Sequence, residues 1–281
     1  MKRKASESRL ATPYVIWSVL FIVVPLILIV FFSFTQQVDG RYVFTTANFE
    51  KFFNPMYFKV IRRSLVLALI STVLCLIVGY PTAYIISKAK PSKRGILLLL
   101  CILPMWMNFL LRTYAWSAIL GRNGFINTLL KFVGLSPVNI LYTDTAVLLG
   151  MVYNFLPFMI LPIHTVLSKM DHDLINAARD LGANSFQVFT KVIFPLSLPG
   201  VVSGVTMVFM PAVSTFVISK LLGGGQFYLI GNLIEQEFMS VGDWHFGSAL
   251  SIFMMIIILI SMAIMNKYSN GNDKEGGGLL L

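Results

Sequence analysis

The sequence predicts an all-α, polytopic membrane protein with six transmembrane helices and one polar helical segment too hydrophilic to cross a bilayer. Hydrophobic residues make up 57% of the 281 residues and charged residues only 12%, against roughly 25% charged in soluble domains. Six apolar runs are long enough to cross a hydrocarbon core of ~30 Å, which takes about 20 helical residues. The predicted spans are residues 14–34, 64–86, 95–120, 146–167, 192–218 and 246–265.

The first apolar run is predicted to be an uncleaved span rather than a signal peptide. The basic start MKRK is typical of a signal peptide. The apolar run is, however, longer than the usual signal core of about 7–15 residues, and no small-residue cleavage site follows it. We therefore expect a cytosolic N-terminal segment (1–13), a transmembrane domain (14–266) and a disordered cytosolic tail (267–281).

Basic residues predict the orientation of the spans, because Lys and Arg near span ends are retained on the cytoplasmic side. With the N-terminus inside, thirteen basic residues fall on the inner side and eight on the outer side, while Arg112 lies within a span. The bias is strongest at the N-terminus and in the KAKPSKR turn. Both termini are therefore expected in the cytosol, together with the polar segment between the fourth and fifth spans.

The polar segment, residues 173–195, is patterned as two short helices joined by a bend. Asp173 is expected to cap the first helix, since a carboxylate accepts hydrogen bonds from the free amides of a first turn. Gly182 ends this helix, Ser185 is expected to cap the second, and Pro195 constrains the chain as it re-enters the membrane. One face of the first helix is apolar (Leu174, Ala178, Leu181), the other is polar (Asn176, Arg179, Asp180), and Phe186 and Phe189 form the apolar side of the second.

The spacing within this segment resembles the Glu-Ala-Ala loop of the membrane subunits of binding-protein-dependent ABC importers. Ala177-Ala178 is followed by three residues, Gly182, nine residues and Val192-Ile193-Phe194-Pro195, with Asn176 in place of the family's Glu. The resemblance implies a type I ABC importer permease fold in which residues 174–189 form a coupling helix that docks on a cytosolic ATPase. Asn keeps hydrogen bonding but lacks the charge that would pair with a basic residue of the ATPase. An ordinary interfacial helix is the alternative interpretation.

Further motifs resemble the first of the two permease subunits of spermidine/putrescine importers. They are Pro104-Met105-Trp106, Tyr153-Asn154-Phe155-Leu156-Pro157-Phe158, Leu229-Ile230-Gly231-Asn232 and Asp243-Trp244. The resemblance implies an importer in a bacterial cell membrane that receives a polyamine from an extracytoplasmic binding protein. It also implies a second permease subunit and two copies of an ATPase subunit as partners. ATP and Mg²⁺ are then expected on the ATPase, and this chain is expected to hold no cofactor.

The third span supplies the candidate wall of a cation pathway. An organic cation is stabilised by aromatic faces and by carbonyl and amide oxygens. One helical face about 160° wide, at 100° per residue, carries Trp106, Asn108, Phe109, Arg112, Thr113 and Trp116. In the alternative interpretation, the Trp residues anchor a membrane interface, while Asn108 and Arg112 hold helices together. Because Arg112 repels a cation, we expect it to pair with a carboxylate of the partner permease or to snorkel outward.

The fourth and fifth spans carry a candidate kink and a candidate helix contact. Tyr153 and Asn154 are further candidates for the substrate pathway and lie one turn before Pro157. A proline frees a backbone carbonyl that must find a partner or line a wet cavity. A kinked gating helix and a kink tolerated by packing both fit this pattern. In the fifth span, Gly200 and Gly204 form a small-xxx-small pair, which predicts close approach of another helix.

The last outer loop is acidic, with Glu235, Glu237 and Asp243 against Lys220. Such acids would steer a polycation toward the entrance or contact the binding protein, whereas a solvated loop face is the alternative meaning of scattered acids.

Several classes of function are disfavoured by the sequence. The basic residues flank apolar runs instead of forming a stripe with aromatics, which argues against nucleic-acid binding. No catalytic or metal-binding motif is present, and Cys75 and Cys101 lie inside apolar runs. We therefore expect neither an enzyme nor a metal site. The remaining alternatives are a related ABC importer for another small solute and an ATP-independent channel or secondary transporter.

Overall fold

The chain is helical along most of its length, as its sequence predicts. The computed structural model describes residues 13–225 and 228–276, so the basic residues before Pro13 lie outside it. Within these described residues, five helices are long and apolar enough to cross a membrane, or up to six if one bent pair counts as a single span. In chain order the helices are α1 (Pro13–Ser33), α2 (Ala47–Glu50), α3 (Pro55–Lys88), α4 (Pro91–Trp106), α5 (Phe109–Leu120), α6 (Phe125–Phe132), α7 (Asp144–Lys169), α8 (His172–Asp180), α9 (Ser185–Ser214), α10 (Val217–Leu222), α11 (Ile230–Gln236) and α12 (Trp244–Gly276).

These elements form two compact units. The first comprises Met1–Val60 and Leu233–Ile257, and the second comprises Ile61–Asn232 and Ile258–Leu281. Helices α1, α3, α7, α9 and α12 overlap the first, second, fourth, fifth and sixth predicted runs, respectively. The predicted short helix near residues 125–133 is confirmed as α6.

The first unit contains a β-hairpin that was not predicted. Strand β1 (Thr35–Val38) pairs antiparallel with β2 (Arg41–Phe44). The turn residues Asp39 and Gly40 have φ angles of 50° and 76°. A type I′ turn requires left-handed backbone at both positions, and Asp-Gly is among its favoured sequences. Asp39-Gly40 was therefore the sequence signal for this hairpin.

The core of the first unit is a cluster of aromatic and aliphatic side chains. Phe52 packs against Phe246 and Phe253, with ring centroids 5.9 and 5.1 Å apart. Leu233, Ala249 and Leu250 complete the buried part of the cluster. The cluster fixes the backbone beside Phe52 against the start of α12.

The second unit is built on close packing of α7 against α9, as the glycine pair predicts. A Cβ atom added to Gly200 would lie 3.0 Å from the carbonyl oxygen of Pro162 and 3.1 Å from Cα of Ile163. At Gly204 it would lie 2.8 Å from the sulfur of Met159. The two helices therefore approach backbone to backbone, and the predicted helix contact is confirmed.

The third predicted span is not one helix, and this corrects the predicted pathway wall. The chain is bent by 92° at the break between α4 and α5. The side chain of Asn108 explains the break, because its oxygen accepts from the amides of Leu110 and Leu111 at 2.9 and 3.3 Å and so starts a new helix. Trp106 therefore does not share a continuous helical face with Asn108 and the residues that follow.

The fifth span begins earlier than predicted. Helix α9 starts at Ser185 and passes through a π-helical turn, Phe189–Ile193, before Pro195. Proline lacks an amide hydrogen, so the regular bonding of the preceding turn is interrupted, and the amide of Phe194 bonds instead to the carbonyl of Phe189. Pro195 thus lies inside a continuous helix, and the separate helix α10 follows where 192–218 predicted one span.

The last helix continues into the segment that was predicted to be a disordered tail. Helix α12 runs to Gly276 and so includes residues 267–276 of the predicted tail. Extension of an existing helix adds one hydrogen bond for each residue fixed, whereas a new helix must first be nucleated. The apolar span therefore provides a nucleus for the polar residues after it. Residues 277–281 lie outside the described residues.

Candidate functional sites

The polar segment forms a helix, α8, that begins at a different cap from the one predicted. Asp171, not Asp173, is the N-cap, and its carboxylate accepts from the amide of Asp173 at 2.9 Å. Asp173 lies in the first turn, where a negative charge complements the positive end of the helix. The sequence Asp171-His172-Asp173 offers two candidate caps, and the helix uses the first of them.

Gly182 ends α8 in a Schellman motif. The amide of Gly182 donates to the carbonyl of Arg179 at 2.8 Å, and the amide of Ala183 donates to the carbonyl of Ala178 at 3.1 Å. Gly182 has a φ angle of +84°, which is costly for any residue that carries a Cβ atom. The Ala-Ala and Gly spacing of the sequence is therefore the spacing that this bend requires.

The second short helix of the segment starts at Asn184 instead of Ser185. Asn184 and Gln187 form a capping box, in which each side chain accepts from the other residue's amide at 2.8 and 2.9 Å. Val188 is buried and anchors this turn. Ser185 is consequently the first helical residue, because the amide side chain of Asn184 is the better placed acceptor.

Large apolar side chains are exposed on this otherwise polar segment. Leu181 is 90% exposed and Phe186 74% exposed, on either side of the Gly182 bend. Leu174 is also exposed, whereas Ala178 is only partly covered. We call Leu174, Leu181 and Phe186 the apolar patch. The other predicted residues of the segment that are exposed are Asp173, Asn176, Ala177, Arg179, Asp180, Gly182 and Pro195. Exposed apolar groups of this size around a rigid bend are typical of a protein-docking surface.

Arg112 is buried across the break between α4 and α5. Its guanidinium donates to the carbonyl oxygen of Pro104, close to the C-terminus of α4. A cation is favourable there, because the C-terminal end of a helix carries partial negative charge. The guanidinium also lies 5.8 Å from the ring centroid of Tyr153 and 5.9 Å from that of Phe109. Arg112 therefore joins the two half-helices, and the expectation that it snorkels outward is wrong because only 7% of it is exposed.

Two predicted pathway residues meet at this break. The rings of Trp116 and Tyr153 form an edge-to-face pair with centroids 5.2 Å apart. Asn154 is buried and donates to the carbonyl of Gly150 at 2.7 Å, while its side-chain oxygen has no hydrogen-bond partner among the described residues. An unsatisfied buried amide oxygen is a suitable acceptor for a hydrogen-bond donor.

The other predicted pathway residues have different environments. The hydroxyl of Thr113 is buried and donates to the carbonyl of Phe109 at 2.8 Å, so it is used within its own helix. Asn108 serves as the N-cap of α5. Trp106 is strongly exposed at the end of α4. The six predicted pathway residues therefore do not form one wall, and only the ring pair of Trp116 and Tyr153 remains next to Arg112.

A lysine from a distant part of the sequence pairs with one of the acids of the predicted acidic loop. Lys51 donates to Oδ2 of Asp243 at 3.1 Å, although 192 residues separate them in sequence. The other carboxylate oxygen, Oδ1, accepts from the amide of Phe246 at 2.9 Å and caps the start of α12. No sequence signal could have paired residues this far apart. Glu235 lies half-buried in α11.

The two acids of this loop differ in their electrostatic environment. Burial alone would raise the pKa of Asp243, but the hydrogen bond from Phe246 and the ammonium of Lys51 outweigh it and lower the pKa. Burial raises the pKa of Glu237, the charge of Asp243 raises it further, and Lys51 partly offsets the rise. Glu237 is 7% exposed, so it is a buried acid close to both Asp243 and Lys51.

Comparison with known proteins gives one consistent result. A family model for "Binding-protein-dependent transport system inner membrane component" matches residues 5–271. The spermidine/putrescine transport system permease protein PotB of Haemophilus influenzae is 42% identical over 249 residues, covering 87% of each chain. The protein of the same name from Escherichia coli is 39% identical over 264 residues, covering 92% of this chain and 96% of that protein.

A solved structure supports the fold independently of sequence. A chain of a bacterial ABC transporter involved in the import of the acidic polysaccharide alginate superimposes with a TM-score of 0.82 over 96% of both chains, at 17% identity. At this identity the likeness concerns the fold alone, and it is the fold of an ABC importer membrane subunit. The chain therefore belongs to the family of inner membrane components of binding-protein-dependent transport systems.

Proposed function

We propose that this chain is a permease subunit of an ATP-driven importer for polyamines of the spermidine and putrescine class. The observation that carries the proposal is the similarity of about 40% to two spermidine/putrescine permeases over nearly their full lengths. The alginate importer has the same fold with a very different cargo, so the fold does not decide the substrate.

The apolar patch is the proposed contact with a cytosolic ATPase subunit. Its side chains project from a bend that is stiffened by the Schellman motif and by the capping box. A stiff bend transmits movement, whereas a flexible loop would absorb it. Two ATPase copies, which would carry ATP and Mg²⁺, and a second permease complete the proposed assembly. This arrangement requires that the patch and both termini lie in the cytosol.

The proposed mechanism is alternating access. Closure of the ATPase pair on ATP would move both permeases through their docked segments and open a central pathway toward an extracytoplasmic binding protein. Close packing of α7 against α9 supports such a mechanism, because a tightly packed helix pair moves as a rigid body. This chain would contribute the substrate pathway and the apolar patch on which the ATPase docks, and the ATPase would contribute the free energy of ATP hydrolysis.

Reconstitution tests the proposed function. The chain is purified alone and together with its partner permease, ATPase and binding protein, and each preparation is placed in proteoliposomes with radiolabelled putrescine or spermidine outside. We expect uptake only with the complete set and only with ATP, since no free-energy source lies in this chain. Uptake by the chain alone would favour an ATP-independent channel or secondary transporter, and uptake of another solute but no polyamine would contradict the proposed substrate.

The shape of the bend gives a separate prediction. Replacing Gly182 with Ala is expected to reduce co-purification of the ATPase, because a Cβ atom at a φ angle of +84° costs about 1–2 kcal/mol and shifts Leu181 relative to Phe186. Gly134→Ala is the matched control, since Gly134 has a φ angle of +80° in another loop and open space around it. Equal loss of ATPase in both variants would show that the strain acts on folding and not on docking.

A further inference from the structure

We propose that Asp243, Glu237 and the ring of Phe246 form a pocket for a primary alkylammonium group, and that the side chain of Lys51 occupies this pocket until a polyamine displaces it. The proposal rests on the proposed function, since it names the part of the polyamine that this chain recognises first. We call these residues the ammonium pocket. All of them belong to the first compact unit.

The contacts of Lys51 define the pocket. Its Nζ atom lies 3.1 Å from Oδ2 of Asp243 and 4.8 Å from the ring centroid of Phe246. A carboxylate and an aromatic face are the two groups that best replace the hydration of an ammonium ion. Asp243 is held in place by the hydrogen bond from the Phe246 amide at 2.9 Å, and Phe246 is only 1% exposed. The pocket is therefore preorganised by the start of α12.

Glu237 adds a second negative charge to a pocket that holds a single lysine. The residue as a whole is 7% exposed. It lies within electrostatic reach of both Lys51 and Asp243. With two acids within electrostatic reach of one lysine, the pocket keeps a surplus negative charge that favours a ligand carrying more than one ammonium group.

The backbone around Glu237 is also unusual. Residues Glu237–Val241 form a π-helical turn, and Gly242 follows with a φ angle of +77°. Single π-turns occur frequently at functional sites, because they redirect side chains out of the regular helical register. Here the π-helical turn begins at Glu237, and the left-handed glycine directly precedes Asp243.

Lys51 has the chemistry of the proposed ligand. Its side chain is a four-carbon alkylammonium, which matches one end of putrescine and the aminobutyl arm of spermidine. A pocket that accommodates this side chain therefore accommodates the end of a polyamine without rearrangement. Selection for a primary ammonium over a guanidinium follows from the single close carboxylate contact, since a planar guanidinium would need two acceptors in its plane.

The internal ligand can be exchanged. The side chains of Lys51 and Asp243 are 39% and 32% exposed, and ion pairs this exposed are weak. The neighbouring residue Phe52 is buried against Phe246 and Phe253, so the backbone of Lys51 stays fixed while its side chain swings away. Lys51 thus competes with the polyamine for Asp243, and the pocket can bind the polyamine once the Lys51 side chain has left it.

The test compares uptake by the complete transporter with three single substitutions. Lys51→Met is expected to lower the KM for putrescine by about two- to fivefold, because putrescine no longer has to displace Lys51 from its exposed ion pair with Asp243. Asp243→Asn is expected to raise KM by about tenfold, because the charge is lost. Asn remains an equally good N-cap through its side-chain oxygen, so the start of α12 is retained. Lys59→Met is the matched control, since it removes a positive charge from the same unit without touching the pocket.

The outcomes separate the pocket from the proposed function. A wild-type transporter that takes up no polyamine contradicts the proposed function. Normal wild-type uptake, with KM values that neither Lys51→Met nor Asp243→Asn changes, contradicts the pocket alone. An equal decrease in KM in Lys51→Met and Lys59→Met would also overturn the pocket, because it would mean a general field effect. Assembly with the ATPase, measured by co-purification, is expected to be unchanged in all three variants. If the Lys51→Met transporter does not assemble, the KM of Asp243→Asn compared with that of the wild type tests the pocket: an unchanged KM contradicts it.

Discussion

Replacing Leu181 with Asp is expected to abolish ATP-driven uptake and to release the ATPase from the membrane subunit. Leu181 is 90% exposed in the isolated chain, so the substitution leaves folding largely unaffected. In the docked state, the variant loses the burial of a leucine, worth about 1.5–3 kcal/mol, and must also bury an unpaired charge. A combined loss of about 3 kcal/mol or more corresponds to a decrease in docking affinity of at least about a hundredfold.

Co-purification of the ATPase with the tagged chain measures this effect, and uptake by the complete transporter measures its consequence. Phe186→Asp is expected to have the same effect, since Phe186 is exposed on the other side of the same bend. Phe132→Asp is the control, because Phe132 is 88% exposed at the end of α6 and lies outside the apolar patch. Unchanged recruitment in both Leu181→Asp and Phe186→Asp would rule out the apolar patch as the docking surface.

Replacing Gly200 with Leu is expected to prevent accumulation of the folded protein. Even the first side-chain atom would lie 3.0 Å from the carbonyl oxygen of Pro162 and 3.1 Å from the backbone of Ile163. Backbone atoms of a buried helix cannot move aside, so α7 and α9 must separate. Overpacking of this kind costs about 1–3 kcal/mol when the neighbours can adjust, and more is expected here because they cannot.

The measurement is the yield of monodisperse protein in detergent and its thermal unfolding temperature. Gly95→Leu is the matched control, because Gly95 also lies in an apolar helix and a Cβ atom added there would have nothing within 4 Å. Gly204→Ala is expected to be milder than Gly200→Leu, since its closest neighbour is the flexible side chain of Met159. Normal yield and stability of Gly200→Leu would contradict the close contact between the two helices.

The helix break at Asn108 shows why the predicted pathway wall was wrong. The apolar run over residues 95–120 is continuous and therefore predicts one helix. Hydropathy indicates that a segment is apolar, but it does not predict where the backbone of that segment bends. Asn108 was visible in the sequence as a polar residue, but its role as an N-cap depends on whether the preceding turn stays helical. The choice between these two conformations is made by the packing around the break.

The bend at Gly182 is the opposite case, in which local sequence was sufficient. Gly at the end of an amphipathic helix predicts a left-handed residue and a change of direction. The structure has both, at the predicted position. Only the caps were misplaced by one or two residues, at Asp171 and Asn184, because neighbouring polar residues are equivalent as candidate caps until the first turn is fixed.

Local sequence patterns were enough to establish that the chain is helical, spans a membrane several times, carries a polar bend between two of its apolar runs and packs two helices closely at a glycine pair. These properties follow from hydrophobicity, backbone preference and side-chain size, which act over a few neighbouring residues. Two contacts emerged only from the folded chain: Arg112 joins two half-helices over Tyr153, and Lys51 meets Asp243. Such contacts join residues far apart in the chain, and they depend on how whole helices pack, which no local pattern encodes.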